Sequence, residues 1–381
     1  MAEGSLSLCL RPEDLRPGNR VHLLRDGAEA YPRMLEAVAR AERCVYLEMY
    51  RFADDAVGRR FARALADRAR AGLEVRVLYD AVGSRDTPRD FFGRLRAEGV
   101  RVVEFNPIPR FFSGLRYRRR NHRKLLIVDG RVAFLGGMNV AREYAAPEDG
   151  GLGWRDTQVE LKGPVVADLL RMAQEIWCRQ TRCVREPPPE VVTLPPQEKG
   201  IPALVLSSHR FRKRWEIGRH YLHALRHART RIWIANPYFL PSIRFRRAMR
   251  RAARRGVDVR LLVPSQSDVP PALYAAQHLF ARLLRWGVRV FEWPGPMMHA
   301  KTAVIDGTWA TVGSYNLDHL SLVHNLELTA ILVDPGFGRE VEAMFEQDFA
   351  RSREVKREAW ERRGWGRRLL EDFFYLFRFF F

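Results

Sequence analysis

The chain has 381 residues, which is more than a single hydrophobic core usually serves, so two domains are expected. It carries 65 Lys and Arg against 45 Asp and Glu, and the net charge of +20 favours an anionic partner such as nucleic acid or acidic lipid. No apolar run reaches the length of about 18 residues that a spanning helix needs, and the first residues lack a secretory signal pattern, so any contact with a membrane is expected at its surface.

The elements predicted in the first half recur in the second half in the same order. A β-prone run, a helix, a strand, a second helix and a further strand are predicted at 44–48, 57–71, 72–78, 88–98 and 99–105. The corresponding elements are predicted at 231–234, 245–255, 256–262, 273–286 and 287–293. This alternation predicts an α/β fold with two similar α/β/α lobes, each a mostly parallel mixed sheet flanked by helices, related by a pseudo-twofold axis.

Proline-rich residues 185–200 separate the two repeats, and proline favours extended chain over helix. We therefore divide the chain into an N-terminal lobe (1–184), a linker (185–200), a C-terminal lobe (201–355) and a basic, aromatic tail (356–381).

Each lobe contains the same polar motif at the same spacing. The first copy is His122, Lys124, Asp129, Gly136 and Asn139, and the second is His299, Lys301, Asp306, Gly313 and Asn316. The residues after each His are apolar and β-prone, and side chains two apart on a strand share a face, so His and Lys should point the same way. Asp-Gly should then turn the chain into a hairpin whose return strand brings Gly and Asn back beside their own His and Lys, where a small residue lets a substrate oxygen approach the backbone.

The two motif aspartates are predicted to lie at the hairpin turn. Five residues of strand place each of them roughly 16 Å from its Lys. We therefore expect Asp129 and Asp306 to fix the turn rather than to contact substrate.

This double His-x-Lys-x4-Asp pattern resembles that of the phospholipase D superfamily, and the resemblance extends over about residues 19–352. It implies one active site between two similar lobes, with the motif residues His122, Lys124, Asp129, His299, Lys301 and Asp306 as the catalytic set. One imidazole attacks phosphorus and the other protonates the leaving alcohol; His122 is favoured as the nucleophile. The lysines and Asn139 and Asn316 would hold the phosphoryl oxygens. No metal or cofactor is implied, and the four cysteines show no zinc-ligand spacing.

An imidazole in such a role needs a carboxylate to orient it. Asp156 and Glu327, each a short distance after its own motif, are the candidates, and the superfamily has acids at matching points. Gly137 stands where the superfamily often has Ser, as Ser314 does in the second copy, so the first copy lacks one hydroxyl donor.

Within the superfamily, residues 47–55, 120–124, 153–156 and 236–241 resemble the shorter bacterial cardiolipin synthases that lack N-terminal transmembrane helices. That resemblance implies transfer of a phosphatidyl group between two phosphatidylglycerol molecules with release of glycerol. It also implies a peripheral enzyme of the bacterial cell membrane, on its cytoplasmic face. A phospholipid hydrolase, a nuclease of the same superfamily and a non-catalytic nucleic-acid-binding protein remain as alternatives.

Two segments combine aromatic residues with arginines, as membrane-surface segments do. The candidate membrane contacts are Phe111, Phe112, Arg116, Arg118, Arg119 and Arg120 before the first motif, and Trp365, Phe373, Phe374 and Phe377 in the tail. The first segment could instead stack nucleic-acid bases, and the tail could instead dock in a groove of the protein itself.

Overall fold

The computed structural model describes residues 10, 12–107, 119–183, 195–208 and 214–381. The strands of the first half are β1 (Arg16–Arg25), β2 (Cys44–Met49), β3 (Glu74–Asp80), β4 (Arg101–Phe105), β5 (Leu125–Val128), β6 (Val132–Gly136) and β7 (Thr157–Lys162). Its helices are α1 (Asp26–Ala39), α2 (Ala56–Arg70), α3 (Arg89–Ala97) and α4 (Val165–Thr181).

The second half repeats this order and continues past it. Its strands are β8 (Ile201–Ser207), β9 (Arg231–Ala235), β10 (Asp258–Pro264), β11 (Arg289–Trp293), β12 (Thr302–Ile305), β13 (Trp309–Gly313), β14 (Leu328–Val333) and β15 (Arg353–Glu354). Its helices are α5 (Glu216–His227), α6 (Ile243–Arg254), α7 (Pro270–Gln277), α8 (Phe280–Arg285), α9 (His319–Val323), α10 (Pro335–Arg351), α11 (Arg357–Glu361) and α12 (Trp365–Leu376).

The strands of both halves form one continuous sheet. Its order is β15-β11-β10-β9-β12-β13-β14-β8-β1-β7-β6-β5-β2-β3-β4, so the second half repeats the first in reverse about the β1–β8 pair. The predicted α/β class with a mixed sheet is confirmed, but the expectation that parallel pairing predominates is wrong. Parallel pairs are confined to β2-β3-β4 and β9-β10-β11. The hairpins that carry the motifs, and the strands beyond them, pair antiparallel because each hairpin reverses the chain.

Helices cover both faces of each half. Helices α1 to α3 pack on one face of the first half, and α5 to α8 pack on the equivalent face of the second. Helices α4 and α10 lie between the halves and share a single core with strands from both, and β6 and β7 also pack against β13 and β14. The halves are therefore joined by a common hydrophobic core as well as by the sheet.

Most helix positions follow the sequence pattern. Helix α2 begins where the Asp55 carboxylate accepts the Gly58 backbone N–H at 2.9 Å, and α10 begins where Asp334 accepts the Phe337 N–H at 2.7 Å. The single helix predicted over 273–286 is wrong, because the chain breaks there into α7 and α8. Most of the predicted linker lies outside the described residues. No helix in the described part of the chain is long and apolar enough to cross a membrane.

Candidate active site

The two motif histidines lie three residues before strands β5 and β12, and each is hydrogen-bonded to the opposite half of the molecule. The His122 backbone N–H donates to the Leu326 carbonyl at 2.9 Å, and the His299 N–H donates to the Arg155 carbonyl at 2.7 Å. Both imidazoles line one cavity of about 510 Å³. The geometry therefore places the two motif copies in a single site between the halves.

Each imidazole is held by a carboxylate from the other half. His122 Nδ1 lies 3.1 Å from both carboxylate oxygens of Glu327, and His299 Nδ1 lies 2.8 Å from Asp156 Oδ2. Each carboxylate is fully buried. Both candidate acids thus contact a motif histidine. The pairing is crosswise, meaning that each acid contacts the histidine of the other half, and the sequence did not predict this. An acid at Nδ1 fixes the ring and leaves Nε2 to do chemistry.

The two acids are supported differently. Glu327 accepts hydrogen bonds from the hydroxyls of Ser314 and Ser321 at 2.5 and 2.6 Å. Asp156 accepts the Thr157 backbone N–H at 2.7 Å. A Cβ added to Gly137 would come within 2.2 Å of Asp156 Oδ1, so the carboxylate fills the space that a serine side chain would need. The absence of a hydroxyl at position 137 is therefore matched to the position of the Asp156 carboxylate.

The two motif lysines are almost completely buried beside the imidazoles. Lys124 Nζ donates to the His122 carbonyl at 2.7 Å, and Lys301 Nζ donates to the His299 carbonyl at 2.5 Å. Burial lowers the pKa of Lys301 to about 8, although Asp156 and Glu327 oppose the shift. Burial together with the charge of Lys301 holds the pKa of Lys124 well below its usual value. A bound phosphodiester anion would relieve this repulsion, so the pair is suited to hold phosphoryl oxygens.

The two imidazoles differ electrostatically. Burial lowers the pKa of His122, while the charge of Glu327 opposes that shift. Burial and the nearby charges of Lys301 and Lys124 hold the pKa of His299 well below its usual value. Lys301 Nζ also lies 2.8 Å from both ring nitrogens of His299, whereas His122 Nε2 has no hydrogen-bond partner among the described residues.

The two motif asparagines, Asn139 and Asn316, both line the catalytic cavity. Asn139 accepts the Arg51 backbone N–H at 3.1 Å and donates to the Tyr144 hydroxyl at 2.8 Å. The side-chain oxygen of Asn316 is buried, and no hydrogen-bond partner for it is found in the part of the chain that the structure describes. The Asn316 oxygen is therefore available to accept a hydrogen bond from a ligand hydroxyl.

The motif glycines Gly136 and Gly313 were expected to leave room for a substrate oxygen, but in the structure they leave room for a neighbouring strand. A Cβ at Gly136 would lie 2.3 Å from the Thr157 carbonyl oxygen, and one at Gly313 would lie 2.5 Å from the Leu328 carbonyl oxygen. The absence of a side chain lets the hairpin approach the next strand closely.

Both motif aspartates lie at the hairpin turns, with φ of 55° at Asp129 and 52° at Asp306. The Asp129 carboxylate accepts the backbone N–H groups of 42, 43 and 44 at 2.8 to 3.0 Å. The Asp306 carboxylate accepts those of 229, 230 and 231 at 2.8 to 3.0 Å. Each carboxylate thus ties its hairpin turn to the start of β2 or β9, at the end of the strand remote from the imidazole.

Arg120 does not belong to the lipid-facing set. It is buried, its guanidinium donates to the Asn106 carbonyl at 3.2 Å, and it lies 3.6 Å from Asp80. The prediction is wrong because Arg120 lies two residues before the motif histidine and is buried together with its neighbour Asn121, whose amide donates to Glu48 at 2.6 Å. Arg119 is exposed. Phe111, Phe112, Arg116 and Arg118 lie outside the described residues.

The aromatic tail both docks on the protein and faces outward. The Phe374 ring stacks on Tyr274 at 5.7 Å, so Phe374 packs against α7 and is not a free surface residue. Trp365 is 81% exposed and Phe373 52% exposed, and Phe377 is exposed beside them. The two alternatives raised by the sequence therefore describe opposite faces of α12.

Sequence reasoning missed the aromatic wall around the imidazoles. Tyr144 OH lies 3.3 Å from His299 Nδ1, and the Tyr50 ring centroid lies 4.9 Å from that of His122. Trp154 and Tyr238 complete this wall. Tyr50 and Trp154 fall inside stretches that carried the family resemblance, which was the available signal. The chain end was also missed, since Phe380 and Phe381 line the same cavity.

Comparison with known proteins gives consistent results. Residues 34–149 and 221–349 match the family model described as cardiolipin synthase, PLD-like domain. Cardiolipin synthase A of Pseudomonas aeruginosa is 39% identical over 339 residues, covering 88% of this chain and 68% of that protein. Cardiolipin synthase A of Pseudomonas fluorescens is 36% identical over 341 residues, covering 89% and 70%. The phosphatidylserine synthase of Haemophilus influenzae superposes with a TM-score of 0.75 at 13% identity, covering 98% of this chain and all of that one, which shows a shared fold.

Proposed function

Because the chain belongs to the cardiolipin synthase family of phospholipase D-like enzymes, we propose that it joins two phosphatidylglycerol molecules into cardiolipin and releases glycerol. The observation that carries the proposal is the crosswise pair, His122 with Glu327 and His299 with Asp156, at 2.8 to 3.1 Å in one cavity. Two oriented imidazoles on one phosphodiester supply both a nucleophile and a proton carrier.

In the first step, His122 Nε2 attacks the phosphorus of one phosphatidylglycerol. The bond between phosphorus and the head-group glycerol breaks, and His299 donates a proton to the departing glycerol oxygen. This role requires a protonated His299, and the negative charge of the bound phosphodiester would raise the pKa that burial, Lys301 and Lys124 lower in the empty site. The absence of a competing partner at His122 Nε2 supports this assignment, since the Nε2 of His299 is already in contact with Lys301 at 2.8 Å. Glu327 then neutralises the positive imidazole of the phosphatidyl-His122 intermediate.

In the second step, the head-group hydroxyl of another phosphatidylglycerol enters where glycerol left. His299, now neutral, takes the hydroxyl proton, and the oxygen attacks phosphorus and displaces His122. The products are cardiolipin and the free enzyme with its original protons. Lys124 and Lys301 would neutralise the charge on the non-bridging oxygens in both steps, with Asn316 and Asn139 as neutral donors.

The outward face of α12 supports a lipid substrate. Trp365, Leu369, Phe373 and Leu376 recur at helical spacing and are all exposed, which is the pattern of a helix lying in a membrane interface. We propose that this face, with Phe377, anchors the enzyme peripherally on the cytoplasmic face of the bacterial membrane. The net charge of +20 would favour anionic lipids there.

The proposal is tested with purified protein and phosphatidylglycerol vesicles in which the head-group glycerol is labelled. We expect cardiolipin and labelled glycerol in equal amounts and no product from His122→Ala. The control His227→Ala should give normal product, because the His227 imidazole contacts the His223 carbonyl of its own helix at 2.9 Å and does not line the catalytic cavity. Phosphatidic acid as the lipid product would replace synthesis with hydrolysis. Cleavage of single-stranded DNA without lipid turnover would indicate a nuclease and contradict the proposal.

A further inference from the structure

A second cavity of about 770 Å³ lies next to the catalytic cavity, between α5, α6, α9 and the chain end. Asp318 lines both cavities, so the two are neighbours. The walls of the second cavity are largely apolar and include Leu222, Leu240, Ile243 and Phe379. A volume of roughly 300–1,000 Å³ with apolar walls and a few polar groups is typical of a small-molecule or lipid site.

Arg246 lines this cavity from α6 and is only 9% exposed. Its Nε is buried and has no hydrogen-bond partner in the described part of the chain. Asp318, the acid that lines the same cavity, accepts the Ser321 backbone N–H at 2.7 Å to cap α9 and forms no ion pair with Arg246. A buried N–H group without an acceptor is costly, so its retention on a charged side chain is explained if an anion enters the cavity from outside.

The rest of the lining narrows the chemistry of that anion. Arg219, Arg244 and Arg378 add positive charge, and the Arg378 guanidinium lies 4.3 Å from the Phe379 ring centroid. A free phosphate ion would use the arginines but leave the apolar walls in contact with water. An amphiphile with an anionic head and an aliphatic chain uses both.

We propose that this cavity binds one acidic phospholipid, with its phosphate on Arg246 and an acyl chain along Leu222, Leu240 and Ile243. Because Asp318 lines both cavities, a lipid held in the second cavity would lie next to the catalytic cavity, where it would serve as the waiting acceptor lipid. That acceptor role rests on the proposed function, whereas binding itself does not.

Binding is tested on the full chain with monomeric short-chain phosphatidylglycerol whose acyl chains carry bromine, a quencher of tryptophan fluorescence. Trp215 lines the second cavity. The difference in quenching between the wild type and Trp215→Phe therefore reports lipid bound in this cavity. We expect Arg246→Gln to weaken binding roughly tenfold or more, because a charge-assisted hydrogen bond is lost. Leu222→Phe, which narrows the cavity without changing its charge or adding a tryptophan, should also weaken it.

Arg247→Gln is the matched control, since Arg247 is the exposed neighbour on the same helix and should leave binding unchanged. Removal of a buried N–H group without an acceptor should also leave the melting temperature of the lipid-free protein unchanged or raise it. Quenching by brominated phosphatidylglycerol that is equal in the wild type and Arg246→Gln would overturn the proposal. Equal quenching by brominated phosphatidylcholine would also overturn it. So would loss of the quenching by brominated phosphatidylglycerol when inorganic phosphate is added, because phosphate would then be the ligand of Arg246.

Cleavage of bis-p-nitrophenyl phosphate, a soluble diester, separates this inference from the proposed function. We expect Arg246→Gln to cleave it at the wild-type rate, because the variant leaves the catalytic cavity intact. Arg246-dependent lipid binding in an enzyme that makes no cardiolipin would refute the proposed function and leave the lipid site standing. Cardiolipin synthesis with no Arg246-dependent binding would support the proposed function and refute the lipid site.

Discussion

The two copies of the motif carry the same histidine and lysine in opposite surroundings. Around His122 the neighbours are polar and buried: Asn121 donates to Glu48, and Arg123 lies 3.2 Å from the same carboxylate. Around His299 the equivalent neighbours are Met298 and Ala300, which pack in the apolar core. The first copy is therefore positioned by a hydrogen-bonded polar network, and the second by hydrophobic packing.

The orienting acids differ in a matching way. Glu327 is longer and is held by two serine hydroxyls, whereas Asp156 is shorter and occupies the space left by Gly137. Both solutions place a carboxylate against Nδ1 of an imidazole from the other half. The two halves therefore share the position of the orienting carboxylate and differ in the residues that hold it. This difference allows the two imidazoles to take different roles.

The largest expected effects come from removing the imidazoles in turn. With bis-p-nitrophenyl phosphate, whose leaving group needs no proton, His122→Ala should lose activity by a factor on the order of 10⁶. His299→Ala should still release one p-nitrophenolate per enzyme in a rapid burst and then turn over about 10²–10⁴ times more slowly than the wild type. Stopped-flow absorbance measures both phases. A burst in His122→Ala and none in His299→Ala would reverse the assigned roles.

The crosswise pairing makes the next prediction specific to each acid. Glu327→Gln should slow the burst itself by about 10²–10⁴-fold, because it acts on the nucleophile His122. Asp156→Asn should leave the burst rate near that of the wild type and slow the steady state by a similar factor, because it acts on His299. Slowing of the burst by the Asp156 variant alone would mean that each acid serves the imidazole of its own half.

The lysines should limit activity at high pH. The pKa of Lys301 is lowered to about 8, so its charge is present below that pH and is lost as the pH rises through it, whereas an ordinary lysine keeps its charge to about pH 10. We expect kcat/KM, which reports the free enzyme, to fall about tenfold per pH unit above pH 8. Lys301→Arg should be less active, and its alkaline decline should be shallower than that of the wild type, because arginine stays charged while Lys124 still loses its charge. An unchanged decline would assign it to another group.

The smallest effect on activity is expected at the two hairpin turns. Asp129→Ala and Asp306→Ala should each lower the free energy of unfolding by about 2–3 kcal/mol, since backbone N–H groups lose a charged acceptor. At a temperature where the variants are folded, turnover should stay within about threefold of wild type. Urea denaturation and steady-state kinetics measure the two quantities, with the exposed Asp149→Ala as control. A stably folded but inactive variant would show that the carboxylate acts on the reaction.

The repeated spacing was sufficient to predict the two halves, the motif hairpins and the turn position of the aspartates, because each of these follows from local periodicity. It could not predict which acid meets which histidine. Asp156 and Glu327 each follow their own motif, and a pairing within a half fits the sequence equally well. Only the packing of β6 and β7 against β13 and β14 brings each histidine to the acid of the other half.

Other features depend on contacts between distant segments. Arg120 reads as part of a basic, aromatic surface stretch, and its inward position follows from Asp80 and the Asn106 carbonyl. The second cavity forms where α5, α6 and α9 meet the chain end, and no local pattern marks Arg246 among the many arginines of α6. The parallel sheet was over-predicted because the βαβ pattern is visible in sequence while the pairing of the hairpins with β7 and β14 is not.

The crosswise carboxylates have a consequence during synthesis of the chain. When the first half, residues 1–184, has been synthesised, His122 and Lys124 are present but Glu327 is still 143 residues further along the chain. Until it folds into place, His122 has no Glu327 carboxylate to orient its ring, and we expect the growing polypeptide to be inactive. Completion of the second half is thus the event that switches the chemistry on, and it requires no separate inhibitor.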